Sequence, residues 1–204
     1  MNIIKPGQSL DLTKAAPGLR RVMVGLGWSI RNNASPHTFD VDAIGIATDA
    51  QGLRLADNTV LFFNQRVVFP TGNHQVPGAL MLSEDDRDGS GDDRKDDEVI
   101  FGDLTLLTQN RVGQLVVGAS IHRAEERGQH FGQLNDAFIR LVNAETKQEI
   151  TRLDLDAFGN NATEMTFGAF RFDGTSWRFD ALGKPQRAGL QNYLGVAGQY
   201  YSYI

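Results

Sequence analysis

Period-two alternation constrains this chain more than any other feature. RRVMVGLGW (20–28) puts Val22, Val24, Leu26 and Trp28 on one side of an extended segment, because successive side chains of a strand point to opposite faces. Short runs rich in Val, Ile and Phe follow at 39–48, 59–65, 98–104, 114–122, 137–144, 148–156, 163–172 and 176–184. Gly, Asn and Asp separate them, and NAETKQE (143–149) and FDGTSW (172–177) carry the residues of hairpin turns. Many short strands with turn signals between them predict an all-β fold: a β-sandwich of two mainly antiparallel sheets with a few short helices. Helical signal is confined to DLTLLTQN (103–110) with Asp103 as cap, to RAEERGQHF (123–131), and to a C-terminal helix in GLQNYLGVAGQYY (189–201). No repeat and no long linker divides the sequence, so residues 1–204 are expected to form one domain.

Composition removes several classes of function. There is no cysteine, which excludes disulfides, thiolate catalysis, Cys-zinc sites and iron–sulfur clusters and leaves oxygen or imidazole to hold any metal. The net charge of −5 and the lack of a Lys/Arg stripe argue against a nucleic-acid surface. No apolar run is long enough to cross a bilayer, so no integral membrane segment is expected. The N-terminus lacks a basic patch followed by an apolar run, and the expected location is the cytoplasm. GLGWSIR (25–31) has Ile30 where a dinucleotide fingerprint needs its third glycine, and reads as close packing at a strand end. The histidines, at 37, 74, 122 and 130, form no HExxH, and no serine sits in a Gly-x-Ser-x-Gly elbow. His122 ends an apolar strand and reads as a hydrogen-bonded structural residue.

The charge is concentrated in one place. SEDDRDGSGDDRKDDE (83–98) holds nine acidic and three basic residues, a formal −6, so the remainder of the chain is close to neutral. Carboxylates this close repel, and such a run is either a solvated loop or a cage for a cation. An EF-hand is excluded: with Gly89 at the sixth position, the twelfth is Lys95 and not the required glutamate. The ingredients are nonetheless those of a calcium site, carboxylates with glycines that let the backbone fold around an ion. A second acidic pair, Asp40 and Asp42 in FDVDA (39–43), stands at i and i+2, on one face of a strand, where like charges are costly without a cation. Loops gather at the ends of a sandwich, so this pair is expected to meet the acidic run there.

In order along the chain, GLGWS (25–29), FDVDA (39–43), FFNQ (62–65), EDDRDGSGDDRKDDE (84–98), SIHRA (120–124), QHFGQ (129–133), AFIR (137–140), EITRLDL (149–155) and FGAFRFDGTSWRFDALG (167–183) resemble the motif series of the TerD family of tellurium-resistance and stress-response proteins. RAGLQNYLGVAG (187–198) is similar to the family's closing helix. The resemblance implies a β-sandwich that binds calcium ions through acidic loops, with protein partners in a stress-response complex and no clear enzymatic activity. Carried over by motif, the metal ligands are Asp40, Asp42, Asn64, Asp85, Asp86, Asp96, Asp97 and Glu98; Asp92 and Asp93 join them as carboxylates of the same run. Ser29, Gln65 and Arg123 replace an Asp, an Asn and an Asp of the family pattern, so fewer or weaker calcium sites are expected. The rival class is a metal-dependent hydrolase of phosphoryl substrates, for which no Lys or His is grouped with the acids. Chemical reduction of tellurite is disfavoured, because no thiol is present.

Overall fold

A computed structural model describes residues 3–30, 37–84, 96–154 and 161–197. The strands are β1 (Ser9–Asp11), β2 (Arg21–Ile30), β3 (Val41–Thr48), β4 (Val60–Leu61), β5 (Val67–Asn73), β6 (Val76–Leu82), β7 (Glu98–Asp103), β8 (Gln114–Ile121), β9 (Leu134–Asn143), β10 (Glu149–Asp154), β11 (Glu164–Phe172) and β12 (Trp177–Gln186). The helices are α1 (Leu12–Ala15), α2 (Leu104–Gln109), α3 (Ala124–Arg127) and α4 (Leu190–Ala197). A first sheet runs β1-β12-β11-β8-β3-β4 and a second runs β10-β9-β2-β7-β6-β5. Neighbouring strands in both are antiparallel. This is the all-β sandwich expected from the alternation.

The inward faces meet in one core. Val22, Val24, Leu26 and Trp28 of β2 pack in it with Leu80 and Ile100 from the second sheet and with Val41, Ala43, Leu115, Val117, Ala119, Phe167 and Phe170 from the first. Each fully buried side chain of this size contributes about 1.5–3 kcal/mol. The first sheet also buries part of its outward face: Ile44, Ile46, Val60, Val116 and Ala169 lie beneath Leu190 and Leu194 of α4. Strands covered on both faces read as continuous apolar runs, not as alternation. That is the pattern of AIGIAT and LVVGAS.

The hairpin β5–β6 is not expected from the sequence, because Pro70 and Pro77 argue against strands. Topology accommodates both. β5 is the edge of the second sheet, and only Leu80, Met81 and Leu82 of β6 pair with β7. Asp103 caps α2 as expected, accepting a hydrogen bond from the Leu106 amide at 3.0 Å. Asp11 caps the unforeseen α1 through the amides of Thr13 and Lys14.

Candidate functional site

The last three residues of the acidic run, Asp96, Asp97 and Glu98, point in three directions. Asp96 folds over the outward face of the second sheet. Its carboxylate accepts two hydrogen bonds from Arg140, from Nε at 2.7 Å and from Nη2 at 2.8 Å, and its side chain is 6% exposed. Gly25 makes room for it: a Cβ there would overlap the carboxylate. Those hydrogen bonds, with Glu149 behind them at 3.4 Å, hold the Arg140 guanidinium above its ordinary pKa against the opposing effect of burial. Asp97 extends the ladder, its amide donating to the Leu26 carbonyl at 2.8 Å, and its Oδ2 accepts from the Trp28 amide at 2.9 Å. Glu98 is 1% exposed, stands opposite Leu26 and turns inward. Its Oε2 accepts a hydrogen bond from the Ala43 amide, so a side chain of the second sheet is tied to the backbone of β3 in the first.

The FDVDA segment stands at that junction. Asp40 is half-buried, and its carbonyl accepts from the His122 amide at 2.8 Å. Asp42 is 4% exposed and pairs with Ser120 on β8. It shares the outward face with Ile44 and Ile46, as period two requires. Leu61 stands opposite Gly45, so the tight turn closed between Phe62 and Gln65 projects toward the Asp42 end of β3. Asn64 is exposed in that turn, and the neighbouring Phe63 ring meets the His122 imidazole edge to face at 6.2 Å. His122 is therefore held by its backbone and by ring packing.

The structure thus brings Asp42, Asn64 and Glu98 to one end of the sandwich and commits Asp96 to Arg140. Asp85, Asp86, Asp92 and Asp93 lie outside the described residues. Among the described residues no three acidic or histidine side chains surround a single metal-sized point. Of the three substituted positions, Ser29 lies on β2, Gln65 closes the turn after β4, and Arg123 stands at the start of α3. The Ser29 hydroxyl donates to the Asn135 carbonyl at 3.0 Å and to Asp136 at 3.3 Å. Arg123 pairs with Glu126 at 2.7 Å at the exposed start of α3.

The family model of the TerD domain matches residues 1–195. The chain belongs to the TerD family. General stress protein 16U of Bacillus subtilis (strain 168) is 36% identical over 184 residues, covering 90% of each chain. Tellurium resistance protein TerD of Serratia marcescens is 32% identical over 197 residues, covering 97% of this chain and 95% of the relative. The crystal structure of a protein of unknown function, SAV2460, superposes with a TM-score of 0.69 at 23% identity, covering 89% of this chain and 98% of that one. It shares the sandwich. Arg140, which ties down Asp96 in this TerD chain, escaped the sequence reading. The signal for it was a lone cation inside the apolar AFIRLV.

Proposed function

We propose that this TerD domain is a cytoplasmic calcium-binding module of the stress-response and tellurium-resistance kind, acting through a metal-ordered acidic loop and a protein partner and not through catalysis. The observation that supports it most is Glu98. A buried carboxylate at the end of the acidic run reaches the β3 backbone next to Asp42, which puts the two acidic motifs at one junction. The donors available are carboxylate and amide oxygens, and calcium takes about six to eight of these. Asp40, Asp42, Asn64, Asp97 and Glu98 would hold the ion together with Asp85, Asp86, Asp92 and Asp93 of the run. The bound ion would supply charge neutralisation and a cross-link between the sheets. Asp96 enters that set only by leaving Arg140. No helix among the described residues is long and apolar enough to cross a membrane.

Calorimetric titration of chelator-stripped protein tests the reading. Calcium should bind and raise Tm, magnesium should bind far more weakly, and Glu98→Gln should weaken calcium about tenfold or more, the loss of one charge-assisted contact. No heat and no Tm change up to millimolar calcium would overturn it. A magnesium preference accompanied by phosphatase activity would replace it with the hydrolase.

A further inference from the structure

The chain has two tryptophans, and their indole groups are served differently. Trp177 is 7% exposed, and its Nε1 donates to the Thr108 hydroxyl at 3.1 Å. Trp28 is 4% exposed and lies in the core between the sheets, yet its Nε1 has no hydrogen-bond partner among the described residues. An indole N–H can only donate, and a buried one is costly to leave without an acceptor. Trp28 shares the inward face of β2 with Leu26, and Leu26 stands opposite Glu98 on β7. Trp28 and Glu98 are therefore diagonal neighbours on one face of an antiparallel pair, about 7–8 Å apart and within reach of long side chains. Because the strands are antiparallel, Trp28 stands two residues nearer the acidic run than the position opposite Glu98. Of the last three carboxylates of the run, Asp96 is held on the outward face by Arg140 and Asp97 by the Trp28 backbone amide. Glu98 is the one on the indole's side, 1% exposed, with its Oε2 accepting from the Ala43 amide.

We propose that the Trp28 indole is a second berth for Glu98: on calcium binding, a carboxylate oxygen of Glu98 leaves the Ala43 amide and accepts from Trp28 Nε1. The proposal rests on the calcium reading above and makes Trp28 a positioning residue, which acts through Glu98 and does not touch the ion. A carboxylate has two oxygens and several lone pairs, so one oxygen can face the ion while the other takes the indole. The exchange replaces a backbone donor of the first sheet by a side-chain donor of the second. A charge-assisted hydrogen bond is thereby kept where it would otherwise be lost, and such bonds are about twice as strong as neutral ones. The same exchange loosens the tie between β7 and β3, so the state of the acidic run is passed to the contact between the sheets.

The test is an NMR titration of isotope-labelled, chelator-stripped protein with calcium, run beside calorimetry. Trp28→Phe, or Trp177→Phe if the first variant does not fold, assigns the two indole signals. In wild type the Trp28 indole proton should move downfield, as a proton does on gaining a carboxylate acceptor. The Ala43 amide proton should move upfield over the same calcium range, and the Trp177 indole should stay in place. In Glu98→Gln at saturating calcium the Trp28 shift should shrink, because a neutral oxygen is the weaker acceptor. Trp28→Phe should weaken calcium about tenfold, the loss of one charge-assisted hydrogen bond. A role in packing alone would also weaken binding in that variant, but would not couple the indole to the Ala43 amide. Calorimetric calcium binding with the Trp28 indole unmoved, or an indole shift undiminished in Glu98→Gln, would overturn the proposal and leave the calcium reading standing. Absence of calcium binding would overturn both.

Discussion

Asp96→Asn, in the presence of chelator, should destabilise the protein by about 2–3 kcal/mol. Breaking a buried ion pair by removing one partner costs about 3–5 kcal/mol, and this pair is bidentate, with 6% and 24% of its side chains exposed. Two features reduce the loss. Arg140 keeps Glu149 at 3.4 Å, and an Asn oxygen can still accept from Nε, although the amide NH2 then faces Nη2. For a domain of this size, one kcal/mol moves Tm by about 2–4 °C, so the expected fall is about 4–12 °C. Arg140→Met should cost a similar amount, because it strands a carboxylate against Gly25. The double variant should be less destabilised than the sum of the two by about 1 kcal/mol or more, since residues in one pair do not act independently. Thermal and urea unfolding of the four proteins measure this cycle. A Tm within about 1 °C of wild type for Asp96→Asn, or additivity within about 0.3 kcal/mol, would show that the pair carries no coupling and that the carboxylate is better solvated than its burial indicates.

Gly25→Ala should destabilise by a similar amount through the same pair, because the added Cβ and the Asp96 carboxylate claim one volume; calcium-free unfolding of Gly25→Ala combined with Asp96→Asn should show the two effects merging. Asp103→Ala should remove about 1 kcal/mol, the usual worth of an N-cap, and denaturant titration would read it as a shift of midpoint at constant m. The Asp173 carboxyl, which accepts from the Ser176 and then the Thr175 amides in the β11–β12 turn, should titrate below the ordinary carboxylate range. Its folded pKa is depressed, so the contribution is complete above the unfolded value and is lost as pH falls through the folded one; carboxyl NMR shifts between neutral and acid pH would measure it.

The strands between turns were legible because period two and turn chemistry agree there, and β2, β7, β8 and β9 contain the predicted segments to within a few residues. What escaped was set by tertiary context. β5 and β6 are strands in spite of Pro70 and Pro77 because an edge and a partly paired neighbour tolerate the missing N–H groups. The parity of Asp42 along β3 was readable, and so was the nearness of that strand to Glu98 at the end of the acidic run. Their surroundings were not. Asp42 turns outward toward Ser120, whereas Glu98 reaches the same stretch of β3 from the inside. Alternation fixes which side a residue takes along its own strand, but not what another sheet places there.

That geometry changes what the acidic run can do. A charge run that ended in solvent would leave the sandwich indifferent to whatever it bound. Here its last three carboxylates are anchored to β9 through Arg140, to β2 through the Trp28 amide and to β3 through the Ala43 amide. A cation that draws Glu98 or Asp97 toward itself must therefore work against backbone hydrogen bonds in both sheets, at about 1.5–3 kcal/mol for each charged contact. Such an ion has to bind tightly enough to offset that loss. In return, its binding would be felt at Trp28 in the core and at the strand that carries Asp42, so a local charge event at one end of the sandwich would become a change in how the two sheets are held together.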